Sequence, residues 1–359
     1  MTKPVRSTSS HSYRSLLRHI FIGLEFAAAL SGPLLAHAET TLYLANTGGS
    51  TEQLYRQKII PAFEKAHNAR IVYVAGSSSD TLAKLQAQKG RQQINVVILD
   101  DGPMYQAMQM GLCAKLEDAP VMKELYPLAQ LGPTSVAVGV VATGIGYNAD
   151  AFKKMGLPDP DSWNVLINPR LKGKLIVPTI SNTYGLHTLI MLARINGGSE
   201  TNIDPGFIAM QKQVAPNVLS WATTTGSLDS LMQSGDVVLA PYGSGRAVAL
   251  QDTGFPLKFV YPKEGAVALR VAACSIAENT QPQLSQEFVR YLLSPEVQTL
   301  HAKFIGLGPV NMTVKLAPNI ATRVPYGPEQ ISKLISVDWR VVNERRADWT
   351  RRWNSSIER

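Results

Sequence analysis

The sequence is poor in cysteine and histidine, which limits the chemistry it can carry. Its 359 residues include two cysteines and six histidines. Neither the C-x-x-C nor the H-E-x-x-H spacing occurs, so a zinc site lacks support. No P-loop or dinucleotide fingerprint follows a predicted strand, and no cofactor is expected. Cys113 and Cys274 lie in apolar surroundings, which fit two buried free thiols at least as well as a disulfide.

Long hydrophobic runs are also missing after residue 38, so no later segment predicts a membrane span. The first 38 residues differ. They begin with four basic residues: Lys3, Arg6, Arg14 and Arg18. An apolar stretch at 20–35, interrupted by Glu25 and Pro33, then leads to an A-x-A box at 36–38, as in a secretory signal peptide. The alternative is an amphipathic N-terminal anchor. We predict cleavage after Ala38 and export to the periplasm.

The net charge of +8 is spread thinly along the chain. Basic residues gather only near residue 350, where four arginines cluster: Arg345, Arg346, Arg351 and Arg352. A nucleic-acid-binding surface would need a basic stripe with stacking aromatics. The segment instead has the spacing of an amphipathic helix with four inward positions: Trp339, Val342, Trp349 and Trp353. We therefore expect its arginines to form a solvated face and the protein not to bind nucleic acid.

Strands alternate with helices in the residues that follow the predicted cleavage site. Apolar runs at 41–45, 69–75 and 95–99 have the length and composition of buried strands. Helices are expected over 54–67 and after Asp80, which is positioned as a cap. This alternation predicts a parallel sheet covered on both faces. Ligands of such sheets bind beyond the carboxyl ends of the strands, which is where the loops at 46–50, 76–79 and 100–103 lie.

The same pattern returns between residues 174 and 246. Strands are expected at 174–178, 218–221 and 237–240, each followed by a loop of small polar residues that opens a helix. The helix after the first of these strands is predicted over 185–196. Between and after the two units, Val- and Ala-rich stretches at 136–146 and 266–276 suit strands that cross from one unit to the other. Two crossings would leave a cleft between two lobes.

Four sequence motifs are informative together. They are SWNVLINPRLKGKLIVP (162–178), VYPKEGAVAL (260–269), LLSPEVQ (292–298) and GPVN (308–311). They resemble motifs of extracellular solute-binding proteins, and more closely of the spermidine/putrescine-binding branch of bacterial ABC importers. The resemblance implies a two-lobed α/β periplasmic binding protein fold (type II). In that fold each lobe is a mostly parallel sheet flanked by helices, and crossover strands join the lobes.

The resemblance also implies a function and a domain arrangement. A small solute would be captured by lobe closure and delivered to an ABC permease in the inner membrane, without enzymatic activity. The crossovers predict lobe 1 from residues 39–136 and 271–308, and lobe 2 from 137–270 and 309–359, after the signal peptide at 1–38. We expect a monomer.

Polyamine binders of this branch are expected to use carboxylates for the amines and aromatic faces for the methylene chain. The chain offers Asp100 and Asp101 in lobe 1, with Tyr184, Trp221 and Tyr242 in lobe 2. The two aspartates have the alternative role of capping the next helix, and Trp221 the alternative of a core position. Further ligand-binding candidates lie in the loops at the strand ends: Thr47, Gly49, Ser50, Ser78, Thr183 and Thr224.

The residues after the YPKEG motif depart from the polyamine pattern, which is expected to place an aromatic and then an acidic residue there. Residues 268–271 read ALRV instead, so Arg270 lies near the hinge, and Arg246 follows a Gly-Ser-Gly loop. An arginine fork matches carboxylate or phosphonate groups, and the loops at 48–50 and 181–183 present backbone N–H groups. We therefore hypothesise a solute that also carries an anionic group, such as an amino acid-like compound, an opine or an aminophosphonate. If Arg270 pairs with Glu264 or an aspartate instead, an amine-rich solute is still predicted.

Two alternatives are a secreted enzyme and a ferric-ion-binding relative of the same fold. Residues 242–245 resemble a nucleophile elbow, but Tyr242 occupies a position that must be glycine. His187 lies within an apolar helix pattern and is expected to be packed rather than catalytic. Tyr184 has no adjacent tyrosine to pair with it on iron. We predict no catalytic and no metal-binding residue.

Overall fold

The strands form where apolar runs occur in the sequence. The structure is a computed structural model that describes residues 40–358, so the predicted signal peptide lies outside the described residues. The strands of this range are β1 (Thr40–Asn46), β2 (Ala69–Ala75), β3 (Val96–Asp100), β4 (Val136–Asn148), β5 (Leu175–Pro178), β6 (Val218–Ala222), β7 (Leu239–Gly243), β8 (Leu257–Val260) and β9 (Val267–Ser275).

The helices fill the segments between these strands and follow the last strand. They are α1 (Ser50–Leu54), α2 (Ile60–His67), α3 (Ser78–Ala87), α4 (Asp101–Gln109), α5 (Ala149–Lys154), α6 (Thr183–Ile195), α7 (Asp204–Ala209), α8 (Thr225–Ser234), α9 (Ser244–Gln251), α10 (Pro282–Leu292), α11 (Pro295–Ile305), α12 (Pro318–Ala321), α13 (Pro328–Ser332) and α14 (Trp339–Ser356). A π-helical turn at Tyr55–Ile59 joins α1 to α2. No helix of the described range is long and apolar enough to span a bilayer.

One mixed sheet carries two parallel parts. Its order is β2-β1-β3-β9-β4-β7-β5-β6, and β8 pairs separately with β4. The pairs β1–β2, β1–β3, β5–β6 and β5–β7 are parallel, as the alternation of strands and helices predicts. The three central pairings, β3–β9, β9–β4 and β4–β7, are antiparallel.

The two crossover strands predicted from the sequence are β4 and β9. The first part of β4 pairs with β9, and its last part pairs with β7 and β8. The last part of β9 pairs with β3. Together the two paired strands therefore join the two parallel parts of the sheet. This is the two-lobed arrangement with crossover strands that the sequence predicts.

The hydrophobic core is divided in the same way. One cluster of buried side chains surrounds β1, β2 and β3 and includes residues of α10 and α11. A second surrounds β5 and α6 and includes residues of α14, and a smaller third lies around β7, α8 and α9. The four predicted inward positions of α14, Trp339, Val342, Trp349 and Trp353, are all buried. These separate cores allow each lobe to be rigid while the strands between them bend.

Helix starts differ from the sequence predictions by a few residues. Ser77, and not Asp80, caps α3: its hydroxyl accepts from the Asp80 amide at 3.1 Å and donates to the Asp80 carboxylate. Helix α6 begins at Thr183, two residues early, because Asn182 accepts from the Tyr184 amide. Both corrections have the same cause, since several polar side chains in each loop are chemically able to cap.

Cys113 and Cys274 form a disulfide, with their Cα atoms 5.7 Å apart. The sequence is compatible with two free thiols or with a disulfide, and the structure shows the disulfide. Both residues are buried. The bond fastens the segment after α4 to crossover strand β9.

Candidate functional site

A cleft of about 1170 Å³ lies at the carboxyl ends of the parallel strands of both lobes. The loops that follow β1 and β3 and the start of α3 line it from one side, and the starts of α6 and α9 line it from the other. Seven predicted ligand-binding residues lie on its walls: Thr47, Ser50, Ser78, Asp100, Thr183, Tyr184 and Arg246. The cavity therefore lies where the strand-end rule predicts a ligand, and solute binding by these residues stays a prediction.

Two predicted loop residues lie just beside the cleft. Gly49 precedes α1 with φ 72°, a left-handed conformation that favours glycine, while its neighbours Gly48 and Ser50 line the cavity. Thr224 caps α8 by accepting from the Ser227 amide at 3.1 Å, and Thr223 lines the cavity instead. At both positions a neighbour of the predicted residue lines the cavity, and a binding role for Gly49 or Thr224 stays a prediction.

Asp101 and Arg270 do not line the cleft, and the expectation that they bind solute is corrected. Arg270 Nε lies 3.0 Å from Asp101 Oδ2, and the two side chains are 7% and 0% exposed. Arg270 therefore has the structural role left open as the alternative, with Asp101 rather than Glu264 as its partner. Glu264 instead accepts hydrogen bonds from the Ser162 hydroxyl and the Trp163 amide. The pair is covered by Tyr105, whose ring centroid lies 5.6 Å from the guanidinium carbon.

Tyr242 is also absent from the cleft walls. Its ring is fully buried, and its hydroxyl donates to Asp229. Asp229 accepts in addition from Arg246, at 2.5 Å. Arg246 does line the cavity, but its charge is balanced by this carboxylate. It therefore brings little net positive charge to a solute.

Asp100 is the predicted carboxylate that lies on the cleft wall. It ends β3, and its amide donates to the Ser78 hydroxyl at 3.1 Å. No lysine or arginine of the described range forms an ion pair with it. Burial, with a smaller contribution from the neighbouring charge of Asp101, raises the pKa of Asp100 to about 7. A cation that binds beside this side chain would therefore stabilise its carboxylate form.

Tyr184 lies opposite, in the first turn of α6. Burial, and then the nearby charge of Asp100, raise the pKa of its hydroxyl well above the ordinary value. The group is therefore a neutral donor and acceptor at physiological pH. Its ring packs directly on Gly243, where an added Cβ would lie only 2.1 Å from the tyrosine oxygen. Glycine at position 243 therefore leaves room for the Tyr184 ring.

The sequence reading missed the contribution of α14. Trp339, Asn343, Arg346 and Thr350 follow one another at helical spacing and all line the cavity. The prediction that the arginines of this helix form a solvated face is wrong for Arg346, which is half-buried, while Arg345 is exposed. Only the helical spacing of these four residues could have indicated that they share one side of the helix.

His187 is packed inside α6, as predicted. It is fully buried, its Nδ1 lies 2.9 Å from the Thr143 hydroxyl, and burial lowers its pKa to about 3. It is therefore neutral and distant from solvent. Between residues 40 and 358 there is no group of three or more His, Cys, Asp or Glu side chains arranged for a metal ion.

Known proteins resemble this chain over most of its length. The spermidine/putrescine-binding periplasmic protein of Escherichia coli is 24% identical over 333 residues, which cover 87% of this chain and 90% of that protein. An ABC transporter structure from Clostridium perfringens has a TM-score of 0.76 at 24% identity, covering 88% of this chain and 99% of that one. The periplasmic binding protein AfuA from Actinobacillus pleuropneumoniae, solved with fructose-6-phosphate, has a TM-score of 0.71 at 21% identity, covering 89% and 98%.

At these identities the solved structures establish the fold alone. The family model of bacterial extracellular solute-binding proteins, however, matches residues 58–325, which is well over half of the chain. The fold, the cleft between two lobes and this match agree with one another. The chain belongs to the bacterial extracellular solute-binding protein family.

Proposed function

We propose that this protein captures a small amine-bearing solute in its interlobe cleft and delivers it to an ABC permease of the inner membrane. Family membership supports the role of substrate-binding component of an importer. The amine is our finer proposal. It rests on one observation: the carboxylate of Asp100 lines the cavity without an ion-pair partner in the described range.

Asp100 is the acidic side chain of the cleft that is available to a bound cation. Four charged side chains of the described range line the cavity: Asp100, Arg246, Asp252 and Arg346. Arg246 pairs with Asp229, and Asp252 pairs with Arg323 at 2.5 Å, so the charges of both are already balanced. Asp100 is the carboxylate without a cation. An ammonium group would supply the missing charge and donate hydrogen bonds to it.

Aromatic side chains support the same choice of solute. Tyr55, Tyr184, Phe304 and Trp339 line the cavity. Tyr184 is half-buried and Phe304 is exposed, so the faces of these two rings can pack against a methylene chain and attract a cation. The curated relative from Escherichia coli is named as a spermidine/putrescine-binding protein, which fits an amine in the cleft of this chain.

The proposed mechanism is closure of the lobes around the solute. We assign residues 39–136 and 271–308 to lobe 1, and 137–270 and 309–359 to lobe 2. Asp100 belongs to the first and Tyr184 to the second, so a bound solute contacts both. Only a ligand that favours the closed state in this way shifts the equilibrium towards it. We propose that the protein acts as a monomer in the periplasm, after removal of residues 1–38.

Thermal-shift and calorimetric titrations test the amine. We expect at least one of putrescine, spermidine, γ-aminobutyrate and 2-aminoethylphosphonate to raise the unfolding temperature, since binding to the folded state stabilises it. Asp100→Asn should weaken that binding by roughly 10- to 100-fold, because a hydrogen bond to a charged group is worth about 1.5–3 kcal/mol.

The matched control is Asp118→Asn, which removes the same charge from an exposed site outside the cleft. It should leave binding unchanged. Binding of amine-free solutes alone, or equal affinities for the wild type and Asp100→Asn, would refute the proposal. Turnover of a bound solute by the purified protein would favour the enzyme alternative.

A further inference from the structure

Arg346 gives the cleft a positive charge that no acidic side chain between residues 40 and 358 balances. It lies on the face of α14 that lines the cavity, one turn from Asn343 and Thr350. Trp349 and Trp353, three and seven residues further along the helix, are buried in the second hydrophobic cluster. The backbone that presents Arg346 is therefore fixed by packing.

The guanidinium is held in place by backbone oxygens. Its Nη2 atom donates to the carbonyls of Ile180 and Ser181, at 3.0 and 3.3 Å. No aspartate or glutamate between residues 40 and 358 lies within ion-pair distance of it, whereas Arg246 and Arg270 each have such a partner. Carbonyl oxygens orient the group but do not neutralise its charge.

Several donors of Arg346 stay available after these two contacts. A guanidinium has five N–H groups in a planar fork, and a single nitrogen is engaged here. The fork matches the two oxygens of a carboxylate or a phosphonate. The carbonyls that hold Arg346 belong to the turn that opens α6, so the first amides of that helix lie beside it.

Asp100 and Arg346 line the same cavity, and Tyr184 lines it too. The charge of Asp100 acts on Tyr184, which stands in the first turn of α6. Arg346 touches the residues directly before that turn. One solute in this cavity can therefore contact both charged groups.

We propose that Arg346 is a specificity-determining residue, which pairs with a carboxylate or phosphonate group on the solute whose amine is held by Asp100. This rests on the proposed amine site. The solute class is a short zwitterion. Plain diamines are selected against, because their second ammonium group would face an unbalanced guanidinium.

Calorimetric titration of two variants tests the assignment. In Arg346→Gln the affinity for γ-aminobutyrate and 2-aminoethylphosphonate should fall roughly tenfold or more, while the affinity for putrescine stays equal or rises. Arg345→Gln is the matched control, since it removes the same charge from the adjacent exposed position. It should leave every affinity unchanged.

The wild type alone provides a second test, which does not depend on a variant that folds. It should bind γ-aminobutyrate roughly tenfold or more tightly than 4-aminobutyramide, which has the same length and amine but no negative charge. Equal affinities for these two compounds, or an unchanged ratio of putrescine to γ-aminobutyrate in Arg346→Gln, would overturn the role of Arg346. If no amine of the panel binds at all, the amine site itself fails, and the proposed function with it.

Discussion

Asp100 makes the cleft sensitive to pH. Burial and the adjacent Asp101 raise its pKa to about 7, whereas an aliphatic amine keeps its proton far above that. The ion pair with an amine requires the deprotonated carboxyl group. Its population rises as the pH rises through 7, so binding strengthens in that direction.

We predict that the affinity of the wild type for an amine-bearing solute is about tenfold weaker at pH 6 than at pH 8. Calorimetry at pH 6, 7 and 8, repeated in buffers of different ionisation enthalpy, measures both the affinity and the release of a proton near neutral pH. Asp100→Asn should bind weakly with no such dependence. If the variant and the wild type had the same pH profile, Asp100 would not be the source of the pH dependence.

The pair Asp101–Arg270 lies beneath the cleft and joins the start of α4 to β9. Removing one partner leaves an uncompensated buried charge, which costs about 3–5 kcal/mol. We predict that Arg270→Met lowers the free energy of unfolding by that amount in urea denaturation. The double variant Asp101→Asn, Arg270→Met should recover much of the loss.

The loss in Arg270→Met should also depend on pH. Burial raises the pKa of Asp101, which Arg270 opposes. Without Arg270 the folded-state pKa lies further above the unfolded one, so stability falls as the pH rises. The difference from the wild type is therefore larger at pH 8 than at pH 5. Equal losses at both values would show that the cost comes from packing and not from charge.

At the scale of elements, the strands could be predicted almost completely from the sequence. Runs such as 96–99 are apolar at every position because β3 is buried on both faces, and that pattern depends little on the rest of the protein. The crossovers β4 and β9 were likewise predicted from their Val- and Ala-rich composition. Helix starts were less exact, because the choice between neighbouring capping residues depends on local geometry.

The sequence predicted which loops line the cavity, but not which side chains of those loops line it. Asp100 and Asp101 are consecutive, yet one faces the cleft and the other the buried Arg270. Sequence gives the position of such residues and not the direction in which each points. Arg346 was missed because its environment is set by α14 packing across lobe 2, which is a contact between distant parts of the chain.

The disulfide Cys113–Cys274 ties crossover strand β9 to the segment after α4. We predict that Cys113→Ala, Cys274→Ala lowers the free energy of unfolding by about 2–5 kcal/mol, since the bond restricts the unfolded chain over a separation of 161 residues. Urea denaturation of the oxidised protein measures this. A reducing agent should destabilise the wild type and leave the double variant unaffected; a wild type indifferent to the reducing agent would contradict the prediction.

For the whole molecule, β4 and β9 join the two parallel parts of the sheet, so they are the elements that we expect to bend in the proposed closure. We predict that a saturating amine-bearing solute lowers the radius of gyration in X-ray scattering towards the roughly 20 Å expected for a compact body of this length. Asp100→Asn at the same solute concentration should show little of this change. An unchanged radius for a wild type that calorimetry shows to be saturated would contradict closure.

Helix α14 follows every other wall of the cleft in chain order. On the predicted export route, which leads with the N-terminus, this wall emerges last. A chain still threaded through the export channel would present Asp100 and Tyr184 without Arg346. We therefore expect a zwitterionic solute to bind with full affinity only after α14 has joined the rest of the cleft.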